Sequence, residues 1–158
     1  MPNIEISSAG ASVKWAVEST AGTRPTTGYT ALVGVTSVAA ANEAPNMLQT
    51  TKLSALKSHT AIFGLNSYGL NAQAVNVNDY ESFRTSWDAM VSAYETAKAD
   101  GKALWIEYAY PAGSNLDSFF YAAEPGELGF GGWEVDSVVT NVCYLAMVGE
   151  PSFETAST

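Results

Sequence analysis

The chain has 158 residues and a mass of 16.7 kDa, with 47% apolar, 11% aromatic and only 15% charged residues. This length and composition predict one folded domain, residues 1–158, and argue against intrinsic disorder. The single cysteine, Cys143, excludes an internal disulfide framework. Cys143 and His59 together are too few ligands for a Cys/His zinc site, which needs four. The longest apolar run, residues 142–148, is too short to cross a bilayer, so we expect no membrane insertion.

The net charge is −9, and its distribution along the chain is uneven. Residues 1–78 carry four basic and three acidic side chains, whereas residues 79–158 carry three basic and thirteen acidic ones. Proteins that grip a nucleic-acid backbone do so with clustered Lys and Arg side chains. The sequence therefore argues against a conventional DNA- or RNA-binding protein.

Strands dominate the predicted secondary structure of the first half. Residues 12–18 and 29–38 are rich in β-branched and aromatic side chains, and turn-forming residues separate them. Residues 40–59 show neither a sustained alternation nor a helical stripe, and we interpret them as a long loop. Two more strands are predicted at residues 60–65 and 70–77.

One amphipathic helix is predicted at about residues 79–99. Its apolar positions recur at the helical period and form one stripe, which consists of Phe83, Trp87, Met90, Val91, Tyr94 and Ala97. Asn78 is a candidate N-cap, and Gly101 is a candidate stop signal. Because such a stripe must be buried, we expect it to dock on a sheet of the same subunit.

Three further strands are predicted after the helix, at residues 103–110, 117–123 and 132–148. Both faces of the first are largely apolar, which indicates a central strand. Glu134 and Asp136 would alternate on one face of the last strand. The chain is thus predicted to be α+β and mainly β.

The sequence contains no strong signature of catalysis or cofactor binding. Residues 129–132 are rich in glycine but lack the lysine and the following helix of a phosphate-binding loop. The pairs Glu124/Glu127 and Glu134/Asp136 could act as the carboxylates of a glycoside hydrolase, although a solvated acidic rim is the simpler explanation. The four tryptophans could form a sugar-binding platform, although core or interface positions account for them better. We therefore expect a protein that is not an enzyme and needs no cofactor or metal.

The order of several short motifs resembles the major tail tube proteins of long-tailed bacteriophages. These motifs are residues 14–18 (KWAVE), 23–25 (TRP), 28–29 (GY), 43–46 (EAPN), 63–65 (FGL), 87–89 (WDA), 124–125 (EP), 128–129 (LG) and 134–138 (EVDSV). They cover about residues 11–149. Their order and spacing carry the resemblance, because each motif alone is short.

The resemblance implies a core of two antiparallel sheets, arranged as a sandwich or a barrel, with the flanking helix and the long loop. It also implies a structural virion protein of the siphovirus type, whose hexameric rings stack into a hollow tail tube. Such a tube encloses a tape-measure protein, meets tail terminator and distal tail proteins, and conducts DNA into the host without binding it specifically. The expected location is the virion tail, assembled in the cytoplasm of the bacterial host.

Two groups of residues are expected to act in such a tube. Carboxylates of the acidic half should line the channel, since an acidic wall does not retain DNA; the candidates are Glu134, Asp136 and then Glu107. The loop at residues 40–59 should contact the adjacent ring, and its candidates are Met47, Leu48, Lys52, Leu53 and Lys57. Residues after Glu150 are expected to form a flexible terminus or an interface arm.

Other function classes remain open at this point. A tube protein of a contractile injection or secretion system would share the fold. A carbohydrate-binding module would place tryptophans on an exposed sheet face, and a hydrolase would need one of the carboxylate pairs. Rings or hollow filaments of the purified protein would favour a tube over the last two classes.

Overall fold

The computed structural model describes residues 9–39, 47–50, 59–62, 73–78, 80–129 and 133–158. Within these residues the elements are, in chain order, β1 (Ser12–Val17), β2 (Thr30–Ala31), β3 (Val35–Val38), β4 (Met47–Thr50), β5 (His59–Ile62), β6 (Gln73–Val77), α1 (Tyr80–Ala99), β7 (Leu104–Ala109), β8 (Ser118–Gly129) and β9 (Asn141–Glu154). The protein is mainly β with one flanking helix, which confirms the predicted fold class.

Seven strands form one antiparallel sheet in the order β2-β1-β7-β8-β9-β6-β3, and β4 and β5 pair as a separate sheet. The large sheet curls into a half-barrel. Its two edge strands, β2 and β3, are joined by only three residues, 32–34. Because four Cα–Cα steps reach at most about 14 Å, this link holds the two edges close together. Of the two predicted arrangements, the chain adopts the barrel-like one.

The helix packs on one face of the curled sheet and fills its core. Phe83 and Met90 are fully buried, Trp87 is 5% exposed, and Val91 and Tyr94 are partly buried beside them. The strands contribute to the same cluster with Val13, Val75, Val77, Leu104, Ile106, Tyr121, Ala123, Cys143, Leu145 and Met147. Burial of a large apolar side chain contributes roughly 1.5–3 kcal/mol, so this contact stabilises both the helix and the curl of the sheet.

A Schellman motif ends the helix. The N–H of Gly101 donates to the carbonyl of Lys98 over 3.0 Å, and the N–H of Lys102 donates to the carbonyl of Ala97 over 2.9 Å. Gly101 has a φ of 70°, a left-handed conformation that glycine adopts at little cost. Among the described residues, no helix is long and apolar enough to cross a membrane.

The structure departs from the predicted elements in three places. Residues 47–50, within the predicted loop, form β4 and pair with β5. β8 continues to Gly129 through an irregularity between Pro125 and Leu128, where the sequence predicted a turn. β9 begins at Asn141 rather than at residue 132, because residues 133–140 form a loop.

The prediction that Glu134 and Asp136 alternate along a strand is therefore wrong. Both residues lie in the loop before β9, and Asp136 has a φ of 65°. A left-handed residue cannot continue an extended strand, and aspartate is one of the few residue types that adopts this conformation readily.

Candidate assembly surfaces

Four large apolar side chains are exposed in the loop that leads into β9. Trp133 is 58% exposed, Val135 92%, Val138 63% and Val139 39%. The loop segment at residues 133–139, which carries these four side chains, is termed the apolar tip. Clusters of exposed apolar side chains are uncommon on monomeric soluble proteins and mark surfaces that bind a partner.

A hydrogen-bonded turn shapes the apolar tip and leaves two carboxylates exposed within it. The N–H and the hydroxyl of Ser137 both donate to the carbonyl oxygen of Glu134, over 3.4 and 2.8 Å. The side chains of Glu134 and Asp136 are exposed between the apolar ones. The tip thus combines an apolar surface with negative charge.

A groove of about 750 Å³ runs between the start of β1 and the edge strand β3. Tyr108 and Phe119 contribute to its lining, together with more exposed side chains: Phe153 is 65% exposed, Tyr110 44% and Val38 39%. No charged side chain lines it among the described residues. This feature is termed the seam groove, because it lies where the two edges of the sheet approach each other.

Aromatic contacts hold the lining of the seam groove in place. The ring of Phe119 lies 5.1 Å from that of Phe153 and 5.8 Å from that of Tyr108, measured between ring centroids. The hydroxyl oxygens of Tyr108 and Tyr121 are 2.8 Å apart. Burial raises the pKa of Tyr108 to about 12, against the opposing effect of that hydrogen bond. Tyr108 is therefore neutral at physiological pH.

The opposite face of the sheet contains a fully buried carboxylate, Glu107. It accepts hydrogen bonds from the N–H of Ser157, over 3.0 Å, and from the hydroxyl of the same residue. The N–H of Thr158 donates to the carbonyl of Thr26 over 3.4 Å. The segment after β9 thus packs on its own subunit and covers Glu107. In this conformation Glu107 is enclosed, unlike Glu134 and Asp136, and would face a channel only if the segment moved away.

The loop between β1 and β2 is anchored on the same face by Arg24. Its guanidinium lies 4.0 Å from the centre of the buried Phe120 ring and forms an ion pair with Glu154. The hydrogen bond from Arg24 holds the pKa of Glu154 below its ordinary value, although partial burial opposes this effect. Tyr29 completes the cluster, with its ring edge-on to Phe120 at 5.8 Å.

Glu18 fixes the start of that loop through three hydrogen bonds. Its carboxylate accepts from Trp105 Nε1 over 2.9 Å, from the N–H of Gly22 over 2.9 Å and from the N–H of Ala103 over 3.1 Å. Burial alone would raise its pKa, but the three hydrogen bonds outweigh burial and hold the pKa below the ordinary value of 4.5. Sequence reasoning missed this anchor, because its partners lie up to 87 residues away.

Cys143 and Glu124 both have partners within the subunit. The thiol of Cys143 is buried and donates to the carbonyl of Val75 over 3.6 Å, and burial raises its pKa to about 12. Glu124 is paired with Lys98 at 3.7 Å. Among the described residues, no group of three or more His, Cys, Asp or Glu side chains is placed to hold a metal ion.

The predicted inter-ring residues are described only in part. Met47 and Leu48 belong to β4, whose backbone pairs with β5. Lys52, Leu53 and Lys57 lie outside the described residues. The inter-ring role of this region stays a prediction.

Comparison with solved structures identifies chains that share this fold. One is in the cryo-EM structure of the anti-feeding prophage cap (AFP tube terminating cap), with a TM-score of 0.60 and 13% identity over 99% of this chain and 95% of that chain. Another is in the AFP baseplate, 6-fold symmetrised, with a TM-score of 0.56 and 8% identity over 100% and 99%. A third is in the tail of an empty GTA particle refined with C6 symmetry, with a TM-score of 0.51 and 9% identity over 96% and 100%.

Protein-family models and curated protein sequences give no match to this chain. The structural similarity is therefore one of fold, and it extends over essentially the whole of each chain compared. The shared fold is that of chains from phage-like tail particles.

Proposed function

We propose that this chain is a structural subunit of a phage-like tail tube built from stacked rings of six copies. The observation that carries the proposal is the end-to-end fold similarity to chains of tail particles, two of which were resolved with six-fold symmetry. The motif order that resembles major tail tube proteins of long-tailed bacteriophages supports the same assignment independently.

The surface of the subunit supports an assembled state. The strands β2 and β3 end the large sheet, and the edge of a sheet presents backbone groups that a neighbouring copy can pair with. The apolar tip is exposed as well. Rotational symmetry closes a ring, whereas head-to-tail contacts between rings extend as an open stack.

In this proposal the tube belongs to the virion tail, encloses a tape-measure protein and conducts DNA into the host cell. Tail terminator and distal tail proteins would contact its two ends. The net charge of −9 per subunit fits this role, because a wall rich in carboxylates repels the phosphate backbone. Glu134 and Asp136 remain the candidates for lining the channel, since both are exposed.

Electron microscopy of the purified full-length protein tests the proposal. We expect rings, or hollow filaments, with six-fold symmetry in end views. A protein that stays a compact monomer at every concentration and salt condition would contradict the assignment.

A tube protein of a contractile injection or secretion system is the second candidate. The two AFP structures among the similar folds favour it. Native particles containing this chain distinguish the two roles: packaged DNA supports the virion tail, whereas particles without a DNA-filled head support the injection apparatus.

The tryptophans offer little support for a carbohydrate-binding module. Trp87 is buried, Trp15 and Trp105 are partly buried, and Trp133 is the one tryptophan that is largely exposed. A sugar-binding platform needs aromatic faces presented to solvent. A single exposed ring in a loop fits a protein contact better than a platform.

A further inference from the structure

The apolar tip and the aromatic part of the seam groove lie at opposite ends of the β8–β9 hairpin. The β3 part of the groove lies nearer the tip, because Val35 pairs with Val77 and Val77 pairs with Asn141. The pairing of these strands runs from Ser118 with Glu154 at one end to Gly129 with Val142 at the other. Phe119 and Phe153, which line the groove, are at the first end. The tip follows the second. The side chains of the tip are exposed, so in this conformation they do not occupy the groove of their own chain.

We propose that the apolar tip of one copy inserts into the seam groove of the next copy along the tube. This inference rests on the proposed tube function and deepens it by naming one contact between successive subunits. It is distinct from the expected inter-ring contact of residues 40–59.

The two surfaces are complementary in chemistry and size. The tip exposes four large apolar side chains, and the groove is apolar, neutral and bordered by exposed aromatic rings. A volume of about 750 Å³ is enough for a tryptophan and neighbouring valines. Insertion would remove both apolar surfaces from water, which is favourable in proportion to the area buried.

The carboxylates of the tip do not oppose this contact. Glu134 alternates with Trp133 and Val135 along the loop, and Asp136 follows directly, so the charged side chains can remain at the solvated rim. The described lining of the groove contains no carboxylate that would repel them. Interfaces of this kind have an apolar centre and a polar rim.

The proposed contact also implies a type of assembly. Tip and groove are different surfaces of one subunit, so a contact in which each copy inserts its tip into the groove of the next copy is heterologous. A heterologous contact that does not close into a ring repeats indefinitely. It therefore suits the axial direction of a tube, whose length is not set by the symmetry of a ring.

Disulfide trapping between two singly substituted proteins tests the contact. Val138→Cys marks the tip and Val38→Cys marks the groove; native Cys143 is buried and stays as it is. After co-assembly and mild oxidation we expect cross-linked dimers in the mixture of the two variants and none in either variant alone. Val148→Cys is the matched control, because this valine is 49% exposed and lies in neither surface. It should not cross-link to Val138→Cys.

A charge substitution provides a second readout. Trp133→Asp should raise the protein concentration needed for filaments by about tenfold or more, as expected for loss of a central aromatic contact. Val148→Asp should leave that concentration unchanged. Tubes that form without the tip-to-groove cross-link, or that tolerate Trp133→Asp, would overturn the contact while leaving the proposed function intact. A wild-type protein that never assembles would overturn the proposed function, and the contact with it.

Discussion

At the scale of single residues, two carboxylates of this acidic protein serve its own fold. Glu18 ties a loop to the start of β7, and Glu107 is buried beneath the segment that follows β9. Both could be identified from the sequence only as acidic residues in or beside strands. Their partners, such as Trp105 for Glu18 and Ser157 for Glu107, are distant in sequence, so no local pattern reveals the contacts.

The hydrogen bonds to Glu18 predict a pH-dependent contribution to stability. The pKa of Glu18 in the folded state lies below its ordinary value of 4.5, so the ionised carboxylate stabilises the fold above that pH. The contribution is lost as the pH falls through the folded-state pKa. Glu18→Gln should lower the free energy of unfolding by about 1–3 kcal/mol at pH 7.

Urea unfolding of wild type and Glu18→Gln between pH 7 and pH 3 measures this effect. The difference between the two proteins should shrink as the pH falls below about 4.5. Glu134→Gln is the control, because this side chain is exposed, and it should show little effect at any pH. A difference for Glu18→Gln that stays constant down to pH 3 would argue against the role of the charge.

At the scale of elements, regular periodicity was readable from the sequence and long-range pairing was not. The helix was predicted at about residues 79–99 and spans Tyr80–Ala99, because its stripe continues over about four turns. β7 was predicted as central and lies between β1 and β8. The extension of β8 past Pro125 was missed, because an irregularity accommodates a residue that normally interrupts strands.

The candidate surfaces were predictable only in part, for the same reason. The apolar tip is visible in the sequence as apolar residues around Glu134 and Asp136, but its exposure depends on a loop where a strand was expected. The seam groove brings together residues from β1, β3, β7, β8 and β9. Nothing local in the sequence indicates that these five strands line one feature.

The buried stripe of the helix predicts a large loss of stability on truncation. Trp87→Ala should lower the free energy of unfolding by about 3–5 kcal/mol, since it removes a core aromatic side chain and leaves a cavity. Trp133→Ala is the matched control, because the same side chain is removed from an exposed loop. It should change stability by no more than about 0.5 kcal/mol.

Both variants are compared by denaturant unfolding at concentrations where the subunit does not assemble. Equal stability of Trp87→Ala and wild type would contradict the packing of the helix on the sheet. A large loss in Trp133→Ala would show that the tip supports the subunit itself.

At the scale of the whole molecule, assembly into the proposed tube would concentrate the negative charge of the subunits. Residues 79–158 carry thirteen of the sixteen acidic side chains, and the exposed tip holds two of them. A ring of six copies would multiply any carboxylate that faces the channel by six. Charge reversal at carboxylates that face the channel should therefore change the passage of DNA more than any other property.

Replacing Glu134 and Asp136 together by lysine should leave tubes intact but slow the release of DNA from assembled particles. Fixed positive charge retains the phosphate backbone, and the effect should weaken as the salt concentration rises. Glu81→Lys with Glu95→Lys is the control, because it makes the same change in net charge at exposed positions of the helix. Equal release rates for the two double variants would place Glu134 and Asp136 outside the channel.

The position of β9 determines when each subunit can finish folding. β9 is the last strand of the described residues, yet it lies inside the sheet, between β8 and β6. The paired residues of β1 and β7 are separated by 87 to 97 positions in the sequence, and those of β6 and β9 by 64 to 72. Pairings of such long sequence separation form slowly. A nascent chain on the ribosome therefore cannot complete the sheet until residues 141–154 have been synthesised, which separates translation in time from polymerisation.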